Sequence, residues 1–236
     1  MYSKSIQKLV IKPGKQVAAQ FVYRNPVRRH GRYLVFVPLT YDGKKAFPTI
    51  FFLHGSGERG NNLELLKRHG LPKIVEKQPD FPFIVISPQC SQRRLWSVTF
   101  LEALFESVIA NLCVDRQRIY LTGLSIGGYA TWEWALAHPR HFAALAPVCG
   151  GGNSQEAYKI AHLPVWAFHG AQDKVVPVEK TLEMVSALEK AGGKPKVTIY
   201  LDAGHDAWTQ TYQNPQLYRW FLKHQNCSLT AKSENV

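Results

Sequence analysis

The stretch Arg118-Ile119-Tyr120-Leu121-Thr122-Gly123-Leu124-Ser125-Ile126-Gly127-Gly128-Tyr129 decides how this chain is read. Its first five residues are the β-rich kind that make a strand, and Tyr129 to Ala137 reads as a helix. Between them lies a Gly-x-Ser-x-Gly pentapeptide, which the chain's Gly and Ser content would produce by chance only about 0.06 times. A serine on so sharp a strand-to-helix turn sits in a strained backbone conformation. The flanking glycines are needed because side chains there would collide with neighbouring chain. The turn lifts the hydroxyl above a sheet, at a helix N-terminus whose dipole favours negative charge. Ser125 is therefore the candidate nucleophile.

Working outward, Val17 to Tyr23 and Tyr33 to Val37 read as an antiparallel edge pair, joined by a turn containing Asn25, Pro26 and Gly31. The hairpin spans about residues 15–38. Thr49 to Leu53, Phe83 to Ile86, Ile119 to Leu121, Leu145 to Val148, Val165 to Phe168 and Val197 to Leu201 are short apolar runs. Runs apolar on both faces are expected of strands buried in a parallel sheet. Helical patterns lie between them: Phe100 to Leu112, Ile126 to Ala137, Val178 to Ala191 stopping at Gly192-Gly193, and Gln216 to His224 opened by Asn214-Pro215. Alternating strands and helices predict an α/β fold with a mostly parallel central sheet covered on both faces. The chain's 236 residues suit one such domain, followed by a loose tail from about residue 226 to 236. The active site of such a sheet lies beyond the carboxyl ends of its strands.

A serine hydroxyl needs a base. Gly204-His205-Asp206 follows the run Val197 to Leu201, and His205 alone combines a strand end with the late position that the order Ser, Asp, His requires. His54 and His169, each followed by Gly, read as structural or loop-positioning residues. His138 and His141 form an HxxH at a helix end and read as a solvated terminus, there being no acidic or Cys ligand nearby in sequence. Asp173, the one carboxylate of the loop His169-Gly170-Ala171-Gln172-Asp173, is the candidate orienting acid. Asp202 and Asp206 are rivals, too close to His205 in sequence to pair with it without strain.

The expected oxyanion donors are the N–H of Ile126 and one from the loop His54-Gly55-Ser56-Gly57-Glu58-Arg59-Gly60, with Ser56 and Gly57 equally eligible. That Gly-rich loop lacks the GKS/T ending of a phosphate-binding loop. Gln89, Trp96, Tyr129 and Trp208 are candidate substrate-binding residues, the tryptophans as surfaces for an aromatic acyl group or a sugar. Trp132 and Trp134 read as core. No large lid is expected, and an open site suits short acyl chains, aryl esters or polymer-linked esters.

The runs HGSGERG, GLSIGGYATWEWALAHPRHFAALAPVCGGG, HGAQDKVVP and GHDAWTQTY, in that order between Tyr33 and Leu222, resemble a group of α/β-hydrolase carboxylesterases labelled predicted peptidases. These are relatives of feruloyl and acetyl esterases and of polyhydroxybutyrate-depolymerase-like esterases. The resemblance implies an α/β-hydrolase fold, a Ser125, His205 and Asp173 triad, and ester hydrolysis through an acyl-enzyme without metal or organic cofactor. Dienelactone hydrolases share that architecture but usually carry Cys as nucleophile, so Ser125 argues against that branch.

The composition sets the remaining bounds. Hydrophobic residues at 45% and charged residues at 19% are ordinary for a globular protein. No apolar run reaches the ~20 residues of a membrane span. The polar, basic start Met1 to Lys8 is not followed by a signal-peptide core, so the chain as written reads as cytoplasmic. Removal of a signal peptide before this sequence begins would make it periplasmic or secreted. The net charge of +12 fits a basic surface, or attraction to acidic polymers or anionic lipid surfaces. Its densest cluster, Arg24 to Arg32, falls in the hairpin connection, and no motif supports nucleic-acid binding. Cys90, Cys113, Cys149 and Cys227 lack the spacing of a disulfide framework or zinc ribbon, and Cys113 and Cys149 read as buried thiols. Amidase, peptidase or thioesterase chemistry with the same triad stays open, as does a non-catalytic binding role. Oligomeric state is not legible here.

Overall fold

The computed structural model describes residues 9–24 and 27–226. The loose-tail positions 227–236, Cys227, the start Met1 to Lys8 and the hairpin-turn residues Asn25 and Pro26 lie outside the described residues. Eight strands form one sheet in the order β1-β2-β4-β3-β5-β6-β7-β8. They are β1 (Gln16–Arg24), β2 (Arg28–Phe36), β3 (Phe47–Leu53), β4 (Ile84–Pro88), β5 (Val114–Leu124), β6 (Ala144–Val148), β7 (Trp166–Gly170) and β8 (Lys196–Tyr200). The pairs β1–β2 and β2–β4 are antiparallel and every other pair is parallel. The helices are α1 (Gly70–Val75), α2 (Val98–Asn111), α3 (Ile126–Ala137), α4 (Glu179–Lys190), α5 (Trp208–Gln213) and α6 (Pro215–Leu222).

The period of two along a strand divides the core. In β3, Phe51 and Leu53 face a cluster shared with Leu101 and Leu104 of α2, Trp134 of α3 and Met184 of α4. Ile50 and Phe52 face the opposite cluster, with Leu71 of α1, Tyr212 of α5 and Phe221 of α6. Helices thus cover both faces, which is why the central strands are apolar throughout. The helix limits are set locally. Asn214 accepts the N–H of Gln216 at 3.0 Å and opens α6 with Pro215 in its first turn, while Gly192 at φ +85° closes α4.

Several expectations are corrected. Strand β8 is an edge strand, half-exposed along its length, and Leu201 beyond it is 74% exposed. Among the described residues it has only one strand neighbour, β7, so its apolar side chains do not imply burial on both faces. Gly31 is not in the hairpin turn but inside β2 opposite Phe21, where a Cβ would overlap the Phe21 ring. The basic residues Arg28 to Arg32 likewise lie on that strand. Asn226 is not loose: its N–H reaches the Gln117 carbonyl at 2.8 Å. Cys113 is half-buried, its thiol donating to the Gly43 carbonyl at 2.6 Å, whereas Cys149 is fully buried. Helices α1 and α5, six residues each, are too short for the helical period to announce them.

Candidate active site

The sheet order reverses beside β3: β4 lies on one side of it and β5 on the other. The loops leaving β3 and β5 therefore meet at a switch point, above the carboxyl ends of the strands. Ser125 ends β5 at φ 55° and ψ −120°, a left-handed conformation costly for a residue with a side chain. Its N–H donates to Val148 of β6 at 2.9 Å and its carbonyl accepts from Tyr129 at 3.0 Å, so the strain is held from both sides. Gly127 passes so close to β3 that a Cβ would overlap the carbonyl oxygen of Leu53. The glycines of the pentapeptide thus answer to packing of α3 against β3.

His205 Nε2 lies 3.0 Å from Ser125 Oγ, and His205 Nδ1 lies 2.7 Å from Asp173 Oδ2. The structure brings these three residues together from the ends of β5, β7 and β8. The alignment depends on backbone bonds between the last two loops: Ala171 donates to Tyr200 and Gln172 to Ala203, each at 2.9 Å. Gly170 has no room for a Cβ, which would run into the carbonyl oxygens of Ala203 and Gly204. Asp173 Oδ1 accepts the N–H groups of Val175 and Val176 at 2.8 and 2.9 Å. Burial pushes the Asp173 carboxyl up, but the hydrogen bonds from His205, Val176 and Val175 outweigh it and hold the group below the usual carboxylate range. Asp202 is exposed, and Asp206 is occupied at the start of α5, accepting both the N–H and the hydroxyl of Thr209 at 3.0 Å.

Cys149 also stands here at φ 50°, with its thiol 3.3 Å from the His205 carbonyl oxygen. Burial pushes that thiol up to about 12, which keeps it protonated and unreactive.

The loop after β3 enters a short 3-10 turn, Ser56–Glu58, with Gly55 at its start. A Cβ on Gly55 would stand 3.7 Å from the Ser125 Cβ, so the loop passes directly over the serine. Ser56 and Gly57 open that turn and are exposed, and Ile126 is the first residue of α3. Backbone N–H groups at such first positions have no partner within their own helix.

Behind the loop stands fully buried His54. Its Nε2 accepts the Cys90 N–H at 2.9 Å and its Nδ1 faces the Gly55 carbonyl at 2.6 Å, a pattern satisfied only by the neutral ring with the proton on Nδ1. Burial lowers the ring's pKa to about 4. Gln89 and Trp96 support the same loop. The Gln89 amide donates to the carbonyls of Glu58 and Asn62 at 2.8 Å, and the Trp96 indole donates to the His54 carbonyl at 3.2 Å with its ring tilted on His54. Both were expected at the substrate pocket, and both are buried in contacts with the loop's backbone instead. Both lie in the segment after β4 and reach the backbone of residues 54–62, a placement linear order does not reveal.

Tyr129, on the first turn of α3, is 37% exposed. Trp208 packs edge-on against His205 with ring centres 5.1 Å apart, and against His69 at 5.9 Å. His169, read as a structural or loop-positioning residue, contacts the Asp173 carboxylate at 3.1 Å, a specific partner that reading did not name. The imidazole four residues before Asp173 and at the end of the same strand was the available signal.

The profile of the dienelactone hydrolase family matches residues 30–219. The probable feruloyl esterase C of Aspergillus terreus is 27% identical over 180 residues, covering 68% of this chain and 62% of that enzyme. The enzyme of the same name from Aspergillus niger is 25% identical over 213 residues, covering 80% of this chain and 74% of its own. Among solved structures, a thermostable esterase superposes with a TM-score of 0.74 at 29% identity, covering 88% of this chain and 63% of that one. The chain thus spans less than two thirds of the Aspergillus terreus enzyme and of the thermostable esterase. The family match corrects the expectation that a serine nucleophile argues against the dienelactone hydrolase branch. The chain belongs to the dienelactone hydrolase family, within the α/β-hydrolase fold.

Proposed function

We propose that this protein hydrolyses carboxylic esters by acyl transfer through Ser125, and that its substrates carry short or aryl acyl groups of the acetyl and feruloyl kind. The observation that carries the reading is the continuous line from Ser125 Oγ through His205 to Asp173, at 3.0 and 2.7 Å. Ser125 attacks the ester carbonyl while His205 Nε2 takes the hydroxyl proton. Asp173 holds the ring with Nδ1 protonated and stabilises the imidazolium. The oxyanion develops between the Ile126 N–H and an N–H of Ser56 or Gly57. His205 then returns the proton to the leaving alcohol, and water, deprotonated by the same nitrogen, releases the acid.

The substrate class is supported by two features. Relatives named feruloyl esterase C match 68% and 80% of this chain, and Trp208 offers an aromatic edge against His205 with Tyr129 exposed on the first turn of α3. Rates on p-nitrophenyl acetate, butyrate and decanoate and on methyl ferulate test the reading, with Ser125→Ala as control. Turnover of ferulate and short esters, lost on the order of 10⁴-fold or more in the variant, is expected. Preference for decanoate would overturn the substrate class, and absence of ester turnover would overturn the reaction in favour of amides or thioesters.

A further inference from the structure

Three potential metal ligands converge at the opposite end of α3 from Ser125. Glu102 on α2 places Oε2 3.1 Å from Nδ1 of His138 and 2.9 Å from Nε2 of His141, and all three atoms lie within 4.8 Å of one another. The HxxH of the sequence therefore has the acidic neighbour that its reading as a solvated helix end had assumed absent. That carboxylate comes from 36 residues before His138, across the packing of α2 on α3.

The donors are held in place. The Trp134 indole N–H bonds the other carboxylate oxygen, Oε1, leaving Oε2 as one directed donor atom. The His141 ring lies flat on Phe105 with centres 4.1 Å apart and planes 3° from parallel, and the two imidazoles stack at 4.9 Å. A network behind the ligands that fixes their orientation is the usual support of a protein metal site. The side chains are 33%, 25% and 22% exposed for His138, His141 and Glu102, enough for a hydrated ion to enter and keep water.

Two imidazole nitrogens and one carboxylate oxygen form a donor set suited to late divalent transition ions, with water completing the shell. Metal bonds of about 2.1 Å put neighbouring ligand atoms roughly 3.0–3.4 Å apart, so the two distances from Glu102 Oε2 need to open by only a few tenths of an ångström. We infer that Glu102, His138 and His141 bind a divalent transition-metal ion, Zn²⁺ foremost, which ties α2 to the C-terminal end of α3. On binding, each imidazole offers the lone pair of the nitrogen that faces Glu102, its N–H residing on the other ring nitrogen. The site lies roughly 18 Å along α3 from the serine, so the ion acts on stability and not on the ester.

The test is calorimetric titration of the full chain with ZnCl₂ near neutral pH, beside melting curves with and without the ion. One saturable site of micromolar affinity is expected, with Tm raised by a few degrees. Glu102→Gln and His141→Gln each weaken binding by roughly tenfold or more while ester turnover stays unchanged. The Co²⁺-loaded wild-type protein, read by its visible absorption, gives a second measurement should a variant fail to fold. Absence of saturable binding at millimolar ion in the wild type would overturn the inference. Equal affinity in wild type and both variants would overturn it too, since the ion would then sit elsewhere, such as on His205.

Discussion

His169 Nε2 lies 3.1 Å from Asp173 Oδ2, the same oxygen that accepts from His205, so the Asp173 carboxylate is held by a second, fully buried imidazole. Nε2 also faces the Val176 carbonyl at 2.9 Å, and two acceptors on one nitrogen require that it carry the proton. His169 is thus a positioning residue for Asp173. His169→Ala should lower kcat by about 10²-fold with little change in KM, because the carboxylate loses a donor and can swing. His169→Gln, which keeps an N–H near the same place, should recover much of that loss. A kcat of His169→Ala equal to wild type would show that the imidazole only fills space.

Asp173→Ala should cost less than Ser125→Ala or His205→Ala, yet still several orders of magnitude in kcat. Asp206→Ala should leave kcat intact and cost about 1 kcal/mol of stability, because its carboxylate is spent on the start of α5. Paired kinetics and urea melts separate the two. A large kcat loss in Asp206→Ala would move the acid role to that residue.

His54 links stability to pH. Its folded pKa of about 4 lies below the ordinary histidine value of 6.5, so the unfolded chain binds the proton more readily. The stability that follows from burying a neutral ring is fully present above pH 6.5 and is lost as pH falls from there towards 4. The loss reaches about 3 kcal/mol at most, from the shift in pKa. Urea midpoints between pH 7 and 4.5 should fall for the wild type. They should fall less for His54→Asn, whose amide replaces the Nδ1–H but has no group to titrate.

Trp208→Ala should raise KM for methyl ferulate by roughly 10-fold while changing acetate turnover little, since a stacked aromatic contact contributes about 1 kcal/mol beside the burial of its face. Trp208→Phe should retain most of the aryl preference. Equal effects on both esters would assign the indole to holding His205 rather than to the substrate.

Gly127→Ala should destabilise by several kcal/mol or prevent folding, because the added methyl runs into backbone of β3 that no rotamer change can move. Gly57→Ala, where a Cβ meets open space, should fold normally and serves as the control in the same melting experiment.

Much of the architecture was legible because each local signal had one physical cause. Continuous apolar runs meant strands covered on two faces, and a serine between glycines at a strand end meant a backbone too crowded for side chains. The order of Ser125, Asp173 and His205 fitted one connectivity of such a sheet. Edge and centre were less legible. The run Val197 to Leu201 has the composition of a buried strand, and only its single neighbour in the sheet shows that it is half-exposed. The six-residue helices were lost for want of length.

By itself, the sequence determined the alternation of strands and helices, the elbow at Ser125 and the residues able to complete a triad, because backbone strain and hydrophobic period act over a few neighbouring positions. Tertiary structure alone decided which side chains share one oxygen or one space. His169 meets His205 at Asp173, Gln89 and Trp96 hold the backbone of the loop over Ser125, and Glu102 crosses from α2 to His138 and His141. Those partnerships join residues on different elements or loops, and their energies depend on distance in space, which packing sets and linear spacing does not encode.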